Sequence, residues 1–168
     1  MHPYVSLAKY AIESFVEKGA IIVEENPENK RAGCFVSIHK KSSKELRGCI
    51  GTILPTCKNL SAEIINNAIS ACRDSRFEPI EKNELDDLDI SVDVLSEPEP
   101  ITSPKLLDTK KYGVIVKAKD GRTGLLLPDL EGVDDPMYQV AIAREKAGVK
   151  ANEPIFLYRF SVKRYKES

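Results

Sequence analysis

Gly33-Cys34-Phe35-Val36-Ser37-Ile38-His39, followed after Lys40 to Lys44 by Glu45-Leu46-Arg47-Gly48-Cys49-Ile50, is the stretch that decides the fold. Cys34, Val36 and Ile38 alternate with Phe35, Ser37 and His39, the period of a strand with one buried face. The charged turn makes the second segment its hairpin partner. Downstream, Leu88, Ile90, Val92 and Val94 alternate with Asp89, Ser91 and Asp93, which predicts a half-exposed strand. Between them, Leu60, Ile64, Ile65, Ala68, Ile69 and Cys72 recur at helical spacing, with Asn59 or Ser61 as cap. Tyr4 to Lys18 reads as an earlier helix between Pro3 and Gly19, and Ala20 to Glu24 as a short strand.

The second half continues the pattern. Gly113 to Ala118 and Arg122 to Leu127 flank the hairpin signal Asp120-Gly121. Asp135-Pro136 opens a third helix that Gly148 closes, and a last strand places Phe156, Tyr158, Phe160 and Val162 on one face. Ser96 to Pro104 reads as a connector, with Ser103-Pro104 capping a short helical turn. The sum is an α+β fold: a mostly antiparallel sheet of six or seven strands flanked by about three helices.

With 168 residues, 42% hydrophobic and 30% charged, the chain has the length and composition of a single globular domain. Its net charge of −1 points to neither nucleic acid nor membrane. No apolar run approaches the ~20 residues of a span, and the first residues lack the layout of a secretory signal, so a cytoplasmic protein is expected. Cys34, Cys49, Cys57 and Cys72 form no C-x-x-C pair and only His2 and His39 accompany them, so four reduced thiols and no metal site are expected.

Leu46-Arg47-Gly48-Cys49-Ile50-Gly51-Thr52 is the least generic stretch. Gly48 and Gly51 permit close approach of a ligand to the backbone, and equally mark a bulge at a strand end. Arg47 shares a face with Cys49 if the strand is regular, and a guanidinium near a thiol favours the reactive thiolate. Past the second helix, Arg76 suits a carboxylate or phosphate with Asp74 orienting it, or a helix-end salt bridge. The segment from Lys30 to Arg47 holds six basic residues and one acidic, whereas Glu78 to Glu99 holds nine acidic and one basic. Both suit solvated faces, and the first also suits an anionic ligand.

Leu-Arg-Gly-Cys-Ile-Gly-Thr resembles the signature of the AMMECR-type family, whose prokaryotic members are called AmmeMemoRadiSam system protein A. Gly33 to Ile38, Asp74-Ser75-Arg76-Phe77-Glu78-Pro79, Ile90 to Ile101, Gly124 to Pro128 and Lys146-Ala147-Gly148 are similar to further family segments in the same order. Ser75, Asp129 and Arg144 stand where many members carry proline, glutamine and cysteine. The resemblance implies one AMMECR-type domain of two unequal subdomains, with a cleft where the signature lies. It also implies association with a Memo-type protein and a radical S-adenosylmethionine protein, and it names no cofactor.

Three functions follow as expectations. The first is a site for a small anionic ligand built from Arg47, Gly48, Gly51, Asp74 and Arg76, with Cys49 as a nucleophile if the site is catalytic. The second is a non-enzymatic interaction module for the Memo-type or radical S-adenosylmethionine partner. The third, nucleic-acid binding, has only the Lys30 to Arg47 strip in its favour.

Overall fold

The structure, a computed structural model, describes residues 1–167. Helix α1 (Pro3–Lys18) starts where His2 Nδ1 accepts the Tyr4 N–H and Pro3 needs no N–H partner. It ends at Gly19, whose φ of 65° is the left-handed conformation that caps helices. Strands β1 (Cys34–Lys40) and β2 (Leu46–Thr52), helix α2 (Leu60–Ala71) and strand β3 (Leu88–Leu95) follow. Then come β4 (Glu99–Ile101), β5 (Tyr112–Ala118), β6 (Thr123–Leu126), helix α3 (Pro136–Lys146) and β7 (Ile155–Lys166). Two 3₁₀ turns, Lys82–Asp87 and Pro104–Leu106, complete the chain. This is an antiparallel α+β architecture, as the alternation in the sequence predicts.

The chain forms two compact units, residues 1–95 with the stretch from 163 onward, and residues 96–162. In the first, strands run in the order β2-β1-β3, with the end of β7 beside β3. Val36, Ile38, Ile90 and Val92 on the inner face pack against Val5, Ile12, Ile64 and Ala68 of α1 and α2. The alternate residues Ser37, His39, Asp89 and Ser91 are turned away from the helices and stay partly accessible. In the second unit, β5 lies between β6 and β7, and Val114, Val116 and Leu126 pack against Val140 and Ala143 of α3.

Three elements differ from expectation. Ala20 to Glu24 runs without turn or bend but joins no ladder: its residues 21–24 find no backbone partner among the described residues. Ile22 is half-buried against the core, while Ile21 and Val23 are 72% and 80% exposed. Within the proline-rich connector, Glu99–Ile101 forms an edge strand on β7, a place that tolerates Pro100 because no second strand needs its N–H. In β7 only Phe160 is fully buried; Ile155 and Leu157 pack, partly buried, against the core of the second unit, while Phe156 lies opposite Lys117 and is mostly exposed.

Candidate functional site

The signature occupies β2, an edge strand whose inner neighbour is β1. Cys49 stands directly opposite Ser37, and Ser37 opposite Ser91. The Cys49 N–H donates outward to Asp74 Oδ2 at 3.1 Å, and its carbonyl accepts from the Arg76 guanidinium at 3.4 Å. Both backbone groups of Cys49 therefore face away from β1, which makes Cys49 and Ser37 a non-hydrogen-bonded pair with close side chains. Their Sγ and Oγ atoms lie 3.3 Å apart.

Asp74 and Arg76 hold this edge in place of a further strand. Asp74 is buried and accepts four hydrogen bonds: from the Cys49 N–H, the Arg76 N–H, Arg76 Nε at 3.1 Å and Arg76 Nη2 at 2.7 Å. Those bonds, Arg76 first, outweigh the effect of burial and hold its carboxyl well below the usual carboxylate range. The Arg76 side chain itself is mostly exposed and leans over the Phe77 ring.

Arg47 goes elsewhere. Ile38 pairs with Gly48 but His39 pairs with Leu46, so Arg47 is the extra residue of a β-bulge and the strand is not regular there. Its buried guanidinium grips Glu84 at 2.8 and 3.1 Å and reaches the Pro79 carbonyl at 3.3 Å. Arg47 and Arg76 thus each have their own carboxylate. The space left by the two glycines is filled by protein. A Cβ on Gly48 would meet the Ala71 carbonyl oxygen of α2 at 2.3 Å, and one on Gly51 the Phe35 ring at 2.2 Å.

A buried polar network fixes the end of the signature. Glu63, fully buried on α2, accepts from Thr52 Oγ1 at 2.7 Å, from the N–H and hydroxyl of Thr56 at 2.8 Å, and from the Cys57 N–H at 2.9 Å. Burial raises its pKa, but the hydrogen bonds outweigh burial and the net shift is downward. One turn on, Asn67 donates to the Cys34 carbonyl and to Thr52 Oγ1. Glu63 and Asn67 flank the apolar stripe of α2 at a spacing of four; that is the only sign of them in the sequence.

The remaining thiols are distinct. Burial pushes Cys34 and Cys72 each up to about 12. Cys49 and Cys57 are partly accessible. Beside Cys49, on the same outer face, Ser37, His39, Asp89, Ser91, Arg164 and Lys166 line a depression of about 330 Å³. His39 stands opposite Asp89 across β1 and β3. Arg164 is bound to the buried Asp93 through two bonds of 2.7 and 2.9 Å. Among the described residues no cluster of three or more His, Cys, Asp or Glu could hold a metal, and no helix is long and apolar enough to cross a membrane.

Fold and site together define an antiparallel α+β protein that carries an accessible thiol on a clamped edge strand beside a polar, hydroxyl-lined face. The chain belongs to the AMMECR1 family, whose model matches residues 5–166. A Thermotoga maritima protein is 50% identical over 98% of both chains. A Clostridium acetobutylicum protein is 46% identical over 99% of this chain, which spans only 36% of that longer protein. The crystal structure of the uncharacterized protein PH0010 from Pyrococcus horikoshii matches with a TM-score of 0.86 at 30% identity, covering 98% of this chain and 90% of the other.

Proposed function

We propose that the outer face of β2, β1 and β3 binds a small anionic ligand, with Cys49 as the group that reacts with it. The observation that carries this reading is the contact of 3.3 Å between Cys49 Sγ and Ser37 Oγ at the edge of the polar depression. The Ser37 hydroxyl is placed to donate a hydrogen bond to the Cys49 sulfur when that sulfur acts as the nucleophile. The Cys49 N–H is already held by Asp74, so it does not serve as an oxyanion donor in this arrangement. A tetrahedral oxyanion would draw its donors from Ser37, Ser91 or Lys166 instead. Asp74 and Arg76 position Cys49 through its backbone without pointing a charge at the ligand.

The test is a mass-spectrometric metabolite screen on protein from its own host, comparing wild type with Cys49→Ser. A ligand retained by wild type and lost or unreacted in the variant supports the reading. Identical ligand content and turnover in both would remove Cys49 from it. A second reading, an interaction module serving a Memo-type or radical S-adenosylmethionine protein, is supported by the exposed Ile21 and Val23 on an unpaired extended segment. A partner contact that survives Cys49→Ser but is lost in Ile21→Lys/Val23→Lys would favour it.

A further inference from the structure

A second depression, of about 490 Å³, adjoins the first and shares Asp89 as a wall. Lys9, Lys41, Lys44 and Glu167 also line it. Lys9 is neutralised by Glu167 at 2.9 Å, and Glu167 is further fixed by the Ile90 N–H at 2.9 Å. Arg164, in the first depression, is neutralised by Asp93. Among the described residues Lys41, Lys44 and Lys166 have no carboxylate within ion-pair distance, and neither has Asp89 an ion-pair partner. The unpaired charge around the two depressions is therefore three lysines against one aspartate.

The turn that presents two of those lysines is held rigid. Lys41 N–H donates to the Asp87 carbonyl at 2.6 Å, and the Ser42 N–H and hydroxyl grip the Asp87 carboxylate at 2.9 and 2.6 Å. Lys44 sits at φ 65° with its N–H bound to the Lys40 carbonyl, a left-handed conformation that costs a non-glycine residue about 1–2 kcal/mol. This fixed turn holds the Lys41 and Lys44 backbones beside the open depression that their side chains line. Lysine supplies point charge suited to phosphate. At the other end, Ser37, Ser91, His39 and Asp89 offer hydroxyl, imidazole and carboxylate partners for the hydroxyl groups of a ligand.

We propose that the paired depressions take a phosphate ester of a small hydroxylated molecule, its phosphate between Lys41, Lys44 and Lys166 and its hydroxyls over Ser37, Ser91 and Asp89. This deepens, and rests on, the reading of the outer face as a ligand site. A nucleic acid fits less well: the two depressions are lined by Asp89, by Lys9 paired with Glu167 and by Arg164 paired with Asp93, and the one arginine of the signature, Arg47, is buried against Glu84.

The experiment is calorimetric titration of the full chain with ribose 5-phosphate and, separately, inorganic phosphate, using wild type, Lys41→Ala/Lys44→Ala and Ser91→Ala. Lys41 and Lys44 are exposed, and alanine carries the same left-handed strain as lysine, so the double variant keeps the fold. The expected result is binding by wild type below about 1 mM, weakened about tenfold or more for both probes in the double variant. Ser91→Ala should weaken ribose 5-phosphate alone. No binding of either probe at about 10 mM, equal affinity in the double variant, or displacement of ribose 5-phosphate by RNA would overturn the proposal. Phosphate binding with an inert Cys49 would sink the thiol chemistry and keep this site; a reactive Cys49 without phosphate binding would do the reverse.

Discussion

Replacing Asp74 with alanine strips four hydrogen bonds from a buried position and leaves the Cys49 and Arg76 N–H groups without acceptors. An orphaned buried N–H costs about 1–3 kcal/mol, but Arg76 is 59% exposed in its side chain and its guanidinium returns to water. We therefore expect a loss of about 2–3 kcal/mol at pH 7, which for a chain of this length lowers the melting temperature by roughly 4–12 °C. The pH dependence has a definite sign. The folded-state pKa of Asp74 is depressed, so its stabilisation is present above the unfolded value and is lost as pH falls through the folded one. At pH 3 the unfolded carboxyl, with a pKa of about 3.9, is mostly protonated while the folded one is still ionised, which removes about 1 kcal/mol of the advantage. The assay is urea unfolding of wild type and Asp74→Ala at both pH values. A loss below about 0.5 kcal/mol at pH 7, or a loss equally large at pH 3, would refute the clamp.

Glu63→Gln should cost about 3 kcal/mol in urea unfolding and speed amide exchange at Thr56 and Cys57, because a neutral amide offers one acceptor where the carboxylate offers two. That penalty should shrink below about pH 4, since the depressed folded pKa of Glu63 gives stability only above the unfolded value. Gly48→Ala should lower the urea midpoint more than Gly51→Ala. The first forces a methyl onto the Ala71 backbone carbonyl and the second onto the Phe35 ring, which can swing, so losses of about 3 and 1 kcal/mol are expected.

The sheet was readable because burial on one face writes a period of two into β1 and β3, and a period near four into α2. Ala20 to Glu24 carries the residues of a strand yet pairs with no strand among the described residues, since propensity describes side chains and a ladder requires a second backbone. β4 was hidden by Pro100 within it and Pro98 just before it. At the site, Cys49, Asp74 and Arg76 were legible as residues of interest, but the bond from Asp74 to a backbone N–H across 25 positions leaves no local trace. Arg47 departs from the face of Cys49 because of one bulged residue, and bulges are set by pairing, not by the strand's own pattern. Ser37, Asp89 and Ser91 were visible as polar alternates on two separate strands; their meeting depends on the register of β1 against β3.

The most direct test of the Cys49 site is the rate of alkylation of each of the four cysteines in the folded protein by a small reagent near pH 6.5, read by peptide mass spectrometry. Cys34 and Cys72, whose thiols burial raises to about 12, should be nearly inert to the reagent. Cys49 should react fastest of the four, ahead of Cys57, because its sulfur lies 3.3 Å from the Ser37 hydroxyl that lines the polar depression, whereas the Cys57 sulfur lies 3.7 Å from the hydroxyl of Thr56, which lines neither depression. A Cys49 that labels no faster than Cys34 and Cys72 would contradict the account and leave the signature strand a structural edge.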